Sequence, residues 1–85
     1  MIVKVKTNFC GQPELDILMP TLKKVLLELS KTIKFPVLDR TNGRIHSDFK
    51  VYLNGVERED LYRGVDPELK NEDNVEVTLV ILAGG

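Results

Sequence analysis

Few residues of this 85-residue chain are of a type that does chemistry, and the most informative are Gly84 and Gly85, which follow the strand-like run Val75-Glu-Val-Thr-Leu-Val-Ile-Leu82 and Ala83. Glycine makes up about 7% of average sequences, so two terminal glycines arise by chance in roughly 0.5% of chains. Two residues without side chains present a bare carboxylate on a narrow stem, because glycine adopts conformations closed to other residues and lets a backbone approach another surface closely. Such a tail, with Ala83 behind it, is expected to thread a slot too tight for a Cβ. A frayed end without a role is the other reading. The carboxylate is inert toward acyl transfer until one oxygen becomes a leaving group. Attack on the α-phosphate of ATP gives an acyl-adenylate; sulfur can then displace AMP to leave a thiocarboxylate, and an amine would give an amide or isopeptide. Both outcomes require an ATP site on another protein, so the chain is expected to be a protein-sized substrate and not an enzyme by itself.

The other reactive side chains offer less. Cys10 beside Gly11 and the sole histidine, His46, form a nucleophile pair only if the fold joins them, and nothing in their spacing suggests it. Cys10 is expected to be a semi-buried structural thiol. One cysteine and one histidine cannot build a four-ligand zinc site, and a plant-type iron–sulfur cluster needs four cysteines. Gly11, Gly43, Gly55 and Gly64 are scattered turn positions and not a phosphate-cradling loop, and Glu57-Arg58-Glu59-Asp60 reads as a solvated charge run. No cofactor and no metal are expected.

Composition sets the frame. Hydrophobic residues are 42% and charged residues 29%, ordinary for a globular chain, and 12 basic against 13 acidic residues give a net charge of −1. That balance gives no support to a nucleic-acid partner, which calls for a concentrated basic face. The run Leu79 to Ala83 is far too short to span a bilayer. Met1-Ile-Val-Lys-Val-Lys6 is a charged alternating strand and not a signal peptide, and a single cysteine suits a reducing compartment. The expectation is one cytoplasmic domain over residues 1–85 with a flexible Gly84-Gly85 tail.

The elements that must hold such a tail can be read from periodicity. Met1, Val3 and Val5 alternate with Ile2, Lys4 and Lys6, a half-buried strand. After the turn signal at Cys10-Gly11-Gln12-Pro13, Leu15, Ile17 and Met19 alternate as a hairpin partner. Pro20-Thr21 opens a helix with Thr21 as N-cap; Leu22, Val25, Leu26 and Leu29 recur at i, i+3, i+4 and i+7, opposite Lys23, Lys24, Glu28 and Lys31. Residues 36–48 read as an irregular connection. Phe49, Val51 and Leu53 mark a third strand, Asn54-Gly55 a tight turn, and Val56 to Arg58 a short edge strand. Leu61 to Leu69, with Gly64 and Pro67, reads as loop with a helical turn. Val75, Val77, Leu79, Ile81 and Ala83 form one face of the last strand. One helix must bury its stripe on a sheet, which predicts an α+β, β-grasp layout: a mixed four- to five-stranded sheet with the first and last strands parallel in the middle.

On the opposite face the last strand reads Glu76, Thr78, Val80, Leu82, turning apolar toward the tail. Tyr52, Leu18 and Ile2 fall on the same outward face, so Leu82, Val80, Tyr52 and Leu18, with Ile2, are expected to form an exposed apolar patch beside the glycines that binds a partner. Burial of some of them under residues 36–48 is the competing reading.

These residues carry a resemblance. Phe49-Lys-Val-Tyr-Leu-Asn54-Gly55, Leu69-Lys-Asn-Glu-Asp73-Asn-Val75 and Ala83-Gly84-Gly85, in that order and spacing, with the helix Thr21 to Lys31 and Gly43-Arg-Ile45-His46, resemble the ubiquitin-like sulfur carriers. The likeness is greatest to the MoaD-like group, the small subunits of molybdopterin synthase, which are related to the ThiS-like carriers of thiamine synthesis. It covers nearly the whole chain. The resemblance implies a β-grasp fold and a cycle in which a ubiquitin-activating-type enzyme (MoeB-like or ThiF-like) adenylates the Gly85 carboxylate. A persulfide donor then converts it to a thiocarboxylate, and the tail enters a larger subunit (MoaE-like) to deliver sulfur to the precursor of the molybdenum or tungsten cofactor. Gly84 and Gly85 carry over directly. Glu72 stands where the family has glycine between two acids. The family's proline shortly before the end is absent from Val80-Ile81-Leu82, so strand pairing is expected to run closer to the tail. Sulfur carriage for thiamine or tRNA thiolation, conjugation to lysines of other proteins, and a purely structural role are the alternatives.

Overall fold

The computed structural model describes residues 1–39, 44–58 and 66–80. Alternation builds its strands: β1 (Ile2–Thr7), β2 (Glu14–Asp16), β3 (Phe49–Leu53), β4 (Val56–Arg58) and β5 (Val75–Leu79), joined by one helix, α1 (Leu22–Ile33). They make a small α+β fold with a mixed five-stranded sheet in the order β2-β1-β5-β3-β4. β1 and β5 run parallel, with Val5 opposite Val75 and Thr7 opposite Val77. β3 lies antiparallel on the other side of β5, Phe49 opposite Leu79 and Leu53 opposite Val75. No helix among the described residues is long and apolar enough to cross a membrane.

The period-two residues of the sheet and the stripe of α1 meet in one core. Val3, Val5, Val51, Val75 and Val77 from the sheet are buried with Leu22, Val25, Leu26 and Leu29 from α1. Each such side chain contributes about 1.5–3 kcal/mol relative to leaving it in water. Thr21 caps α1 as its position suggests, its hydroxyl accepting from the Lys24 N–H at 3.3 Å. A second cap comes from far along the chain: Asp66 Oδ1 accepts from the Lys23 N–H at 2.9 Å. The Leu22 and Leu69 N–H groups then donate to the Pro67 and Pro20 carbonyls, tying this segment to the helix start, with Leu69 buried.

One expectation about these elements needs correcting. Met19 does not continue the core face of β2; the strand ends at Asp16, and Met19 is 75% exposed with φ 50°. The last bond there runs from the Ile17 N–H to the Met1 carbonyl, after which the chain turns toward α1 through Pro20, which has no N–H to donate. The helix runs on to Ile33 and stops at Lys34 in the left-handed region, φ 57°. The irregular connection before β3 contributes to the core. Val37 and Leu38 are fully or almost fully buried, Leu38 bridges Ile45, and the Val37 N–H donates to Ser30 Oγ at 2.9 Å. The segment read as loop with a helical turn, 61–69, is described only from Asp66 on.

At the end of the sheet where β5 begins, two turns lock together. Asn54 and Gly55 both take positive φ, 53° and 81°, the left-handed pair that a two-residue hairpin with the twist of its strands requires. Asn54 Nδ2 donates to Asp73 Oδ1 at 3.0 Å, and its Oδ1 accepts from the Asn74 N–H at 2.8 Å. Asp73 Oδ2 also accepts from the Lys70 N–H at 2.8 Å. The Asn54 amide, then the Lys70 backbone, hold the Asp73 carboxyl below its ordinary value. A carboxyl depressed on folding stabilises the fold above its unfolded pKa, near 3.9, and that contribution is lost as pH falls through the folded value. Asp73→Asn should therefore lower Tm at pH 7, and the gap to wild type should narrow as pH falls below about 4. A gap in Tm that stays constant to pH 3 would show the carboxylate does not act this way.

Candidate functional site

The C-terminal end of β5 is the part of the fold from which any chemistry at Gly85 must be presented, and it is defined by three strands. On the face of the sheet away from α1, residues fall in rows across β1, β5 and β3. Lys6, Glu76 and Tyr52 form one row, with Glu57 of β4 beyond Tyr52. Lys50 and Thr78 form the next. Asp48 and Val80 form the last: the Val80 N–H donates to the Asp48 carbonyl at 2.7 Å, so cross-strand bonding reaches Val80. Val80 and Tyr52 are half-buried and share this face. They are four residues apart in register, about 13 Å along the strands, with Lys50 and Thr78 between them. Leu82, Ala83, Gly84 and Gly85 lie outside the described residues, as does Ile81.

The register separates the rest of the expected patch from this end. With Val5 opposite Val75, Ile2 continues the pairing to the level of residue 72, about 26 Å along the sheet from Val80. Leu18 follows β2, whose Asp16 pairs with Ile2, and so lies at that far end too. There Ile2 (62%), Leu18 (84%), Met19 (75%) and Met1 (37%) are the exposed apolar side chains. Alternation placed Ile2, Tyr52 and Val80 on the face away from the core. It carried no information about height along the face, and one apolar patch joining Leu18 and Ile2 to Val80 does not form.

The two reactive side chains sit near the end of β5 in separate settings. Cys10 is exposed, not semi-buried. Its turn is held by Thr7, whose hydroxyl accepts from the Cys10 N–H at 3.0 Å, donates to the Gly11 carbonyl at 2.6 Å, and lies 3.3 Å from Cys10 Sγ. The His46 ring meets Phe35 edge-on at 5.2 Å, Phe49 at 6.1 Å, and accepts at Nδ1 from the Asp48 N–H at 3.1 Å. Each is thus engaged with its own neighbours, and no bond joins them. Among the described residues no cluster of His, Cys, Asp and Glu is placed to hold a metal ion.

Comparisons with known protein families, with curated proteins and with solved structures find no match to this chain. What the site can do therefore rests on its own geometry. A cavity of about 720 Å³ lies between the C-terminal end of α1 and residues 34–39 and 44–46, lined by Leu27, Phe35 and Ile45 together with Lys31, Lys34 and Arg44. None of Tyr52, Thr78 or Val80 lines it, so it is not part of the face that leads to the tail.

One residue at this end escaped sequence reasoning. Asn8 follows β1 directly, and its side chain bonds both backbone groups of Leu79: Oδ1 accepts from the Leu79 N–H at 2.8 Å, and Nδ2 donates to the Leu79 carbonyl at 3.2 Å. The available signal was an asparagine where a strand gives way to a turn, since its amide carries the same donor and acceptor as a peptide group.

Proposed function

We propose that this chain is a β-grasp sulfur carrier whose Gly85 carboxylate is the reacting group, acting in synthesis of the molybdenum or tungsten cofactor. The observation that carries the reading is the strand order with its parallel β1–β5 pair, one helix covering one face, and a central β5 held on one side up to Leu79 and on the other up to Val80. The segment Ile81-Leu-Ala-Gly-Gly85 follows the last such bond among the described residues. Fully extended, those residues reach at most about 17 Å, enough to carry a carboxylate from the folded body into another protein.

The chemistry follows from the carboxylate. In the active site of a ubiquitin-activating-type enzyme, a Gly85 oxygen attacks the α-phosphate of ATP and expels pyrophosphate. A persulfide sulfur then attacks the carbonyl carbon and displaces AMP, forming an acyl disulfide. A second thiol attacks the donor-side sulfur of that disulfide, forming a disulfide with the donor and releasing the thiocarboxylate on Gly85. The larger subunit of a molybdopterin-synthase-type complex receives the tail and transfers the sulfur. Docking uses the outer face around Tyr52 and Val80, half-buried in the free chain and adjoining the tail.

Intact-mass measurement of the protein from its native cell tests this. The expected species has one oxygen of the Gly85 carboxylate replaced by sulfur. Its absence in sulfur-replete cells that contain the activating enzyme would refute the carrier role, and lysines bearing a branched Gly-Gly remnant on other proteins would assign the chain to protein conjugation instead.

A further inference from the structure

β1 pairs with β5 only as far as Thr7 opposite Val77. Beyond it the chain turns back through Gly11, at φ 76°, with the Thr7 N–H bonded to the Gly11 carbonyl at 3.1 Å. In a parallel ladder the next residue of β5 to face β1 is Leu79, and that turn takes the β1 backbone away from it. The Asn8 side chain fills the vacancy, bonding the Leu79 N–H and carbonyl at 2.8 and 3.2 Å. On the other flank the Val80 N–H is bonded to Asp48. The final two described residues are thus held by different neighbours, one by a side chain and one by a main-chain carbonyl.

We infer that Asn8 is a positioning residue for the reaction at Gly85: its amide extends the β1–β5 ladder by one step and so sets where the tail leaves the sheet. The inference rests on the carrier reading. Its logic is that the activating enzyme grips the folded body while the carboxylate must reach ATP, so every residue freed from β5 multiplies the conformations in which a docked carrier is unproductive. The docking face proposed around Tyr52 and Val80 does not include Asn8. Loss of the clamp therefore lowers turnover of the bound complex and leaves binding in place. No proline stiffens Val80-Ile81-Leu82, so the clamp does here what a rigid residue would do.

The experiment compares wild type, Asn8→Ala and Asn8→Asp by amide hydrogen exchange and by ATP–pyrophosphate exchange with an adenylating enzyme that accepts the wild-type chain. In Asn8→Ala, protection of the Leu79 N–H should fall about five- to tenfold, the worth of one hydrogen bond, while Val77 stays protected. kcat should fall by a similar factor of about five with KM for the carrier unchanged. Asn8→Asp keeps the acceptor for the Leu79 N–H and loses the donor to its carbonyl, so it should retain Leu79 protection and recover part of kcat. An unchanged kcat in a variant that has lost Leu79 protection overturns the positioning role and leaves the carrier reading intact. A rise in KM, or exchange spreading to Val77, assigns Asn8 to docking or folding and also overturns it. If no adenylating enzyme accepts the wild-type chain, the carrier reading fails and this inference with it.

Discussion

Deleting Gly85 is expected to abolish adenylation and thiocarboxylate formation while Tm stays where it is. In the proposed carrier role the reacting atoms are those of the last residue, and without it the carboxylate sits on Gly84, one residue (about 3.5 Å) short of its position. A displacement of that size removes a nucleophile from in-line contact with a phosphate, where a misplacement of about 1 Å already lowers rates by about 100-fold. The fold has no reason to respond. Glycine has no side chain to bury, and the core among the described residues runs from Val3 to Val77. Pyrophosphate exchange and a thermal melt on the same preparation separate the two effects. Retained adenylation would remove Gly85 from the mechanism, and a lowered Tm would show that the end of the chain is part of the folded body.

The second large effect concerns the helix that backs the sheet. Leu26→Ala should destabilise the protein by about 3 kcal/mol, within the range for truncating a buried leucine. At this chain length that lowers Tm by roughly 15 °C. Leu26 is completely buried at the centre of the α1 stripe, between Leu22 and Leu29, and those neighbours cannot close the gap without moving the helix. Domains of this size hold only about 5–15 kcal/mol in total, so the variant spends much of its margin. Leu18→Ala is the matched control. At 84% exposure it should change stability by no more than about 0.5 kcal/mol. Equal losses from the two would mean that Leu18 is covered in solution.

These two positions also show how far a one-dimensional pattern reaches. Leu26 was legible because α1 repeats its apolar residues every three or four positions, a local property that any helix would turn into a stripe. Leu18 was misplaced because its role depended on which residues lie beside it. Period two assigns a residue to a face, and the parallel offset between β1 and β5 decides where on that face it sits. Val37 and Leu38 were missed for a related reason. They lie in a stretch too short and irregular to show a period, and they are buried because Ser30, Ile45 and His46 offer their backbone bonds a partner.

By itself the sequence determined the faces of the strands, the buried stripe and N-cap of α1, the Asn54-Gly55 turn and the glycines of the tail, because each depends on residues within a few positions of one another. Tertiary structure alone decided the strand register, the separation of Ile2 and Leu18 from Val80, the Asn54–Asp73 lock and the grip of Asn8 on Leu79. Those contacts join residues distant along the chain, as far as Asn8 from Leu79, and no local preference encodes which of many equivalent partners a strand will meet. The choice is made when the whole core closes and only one register buries every apolar face at once.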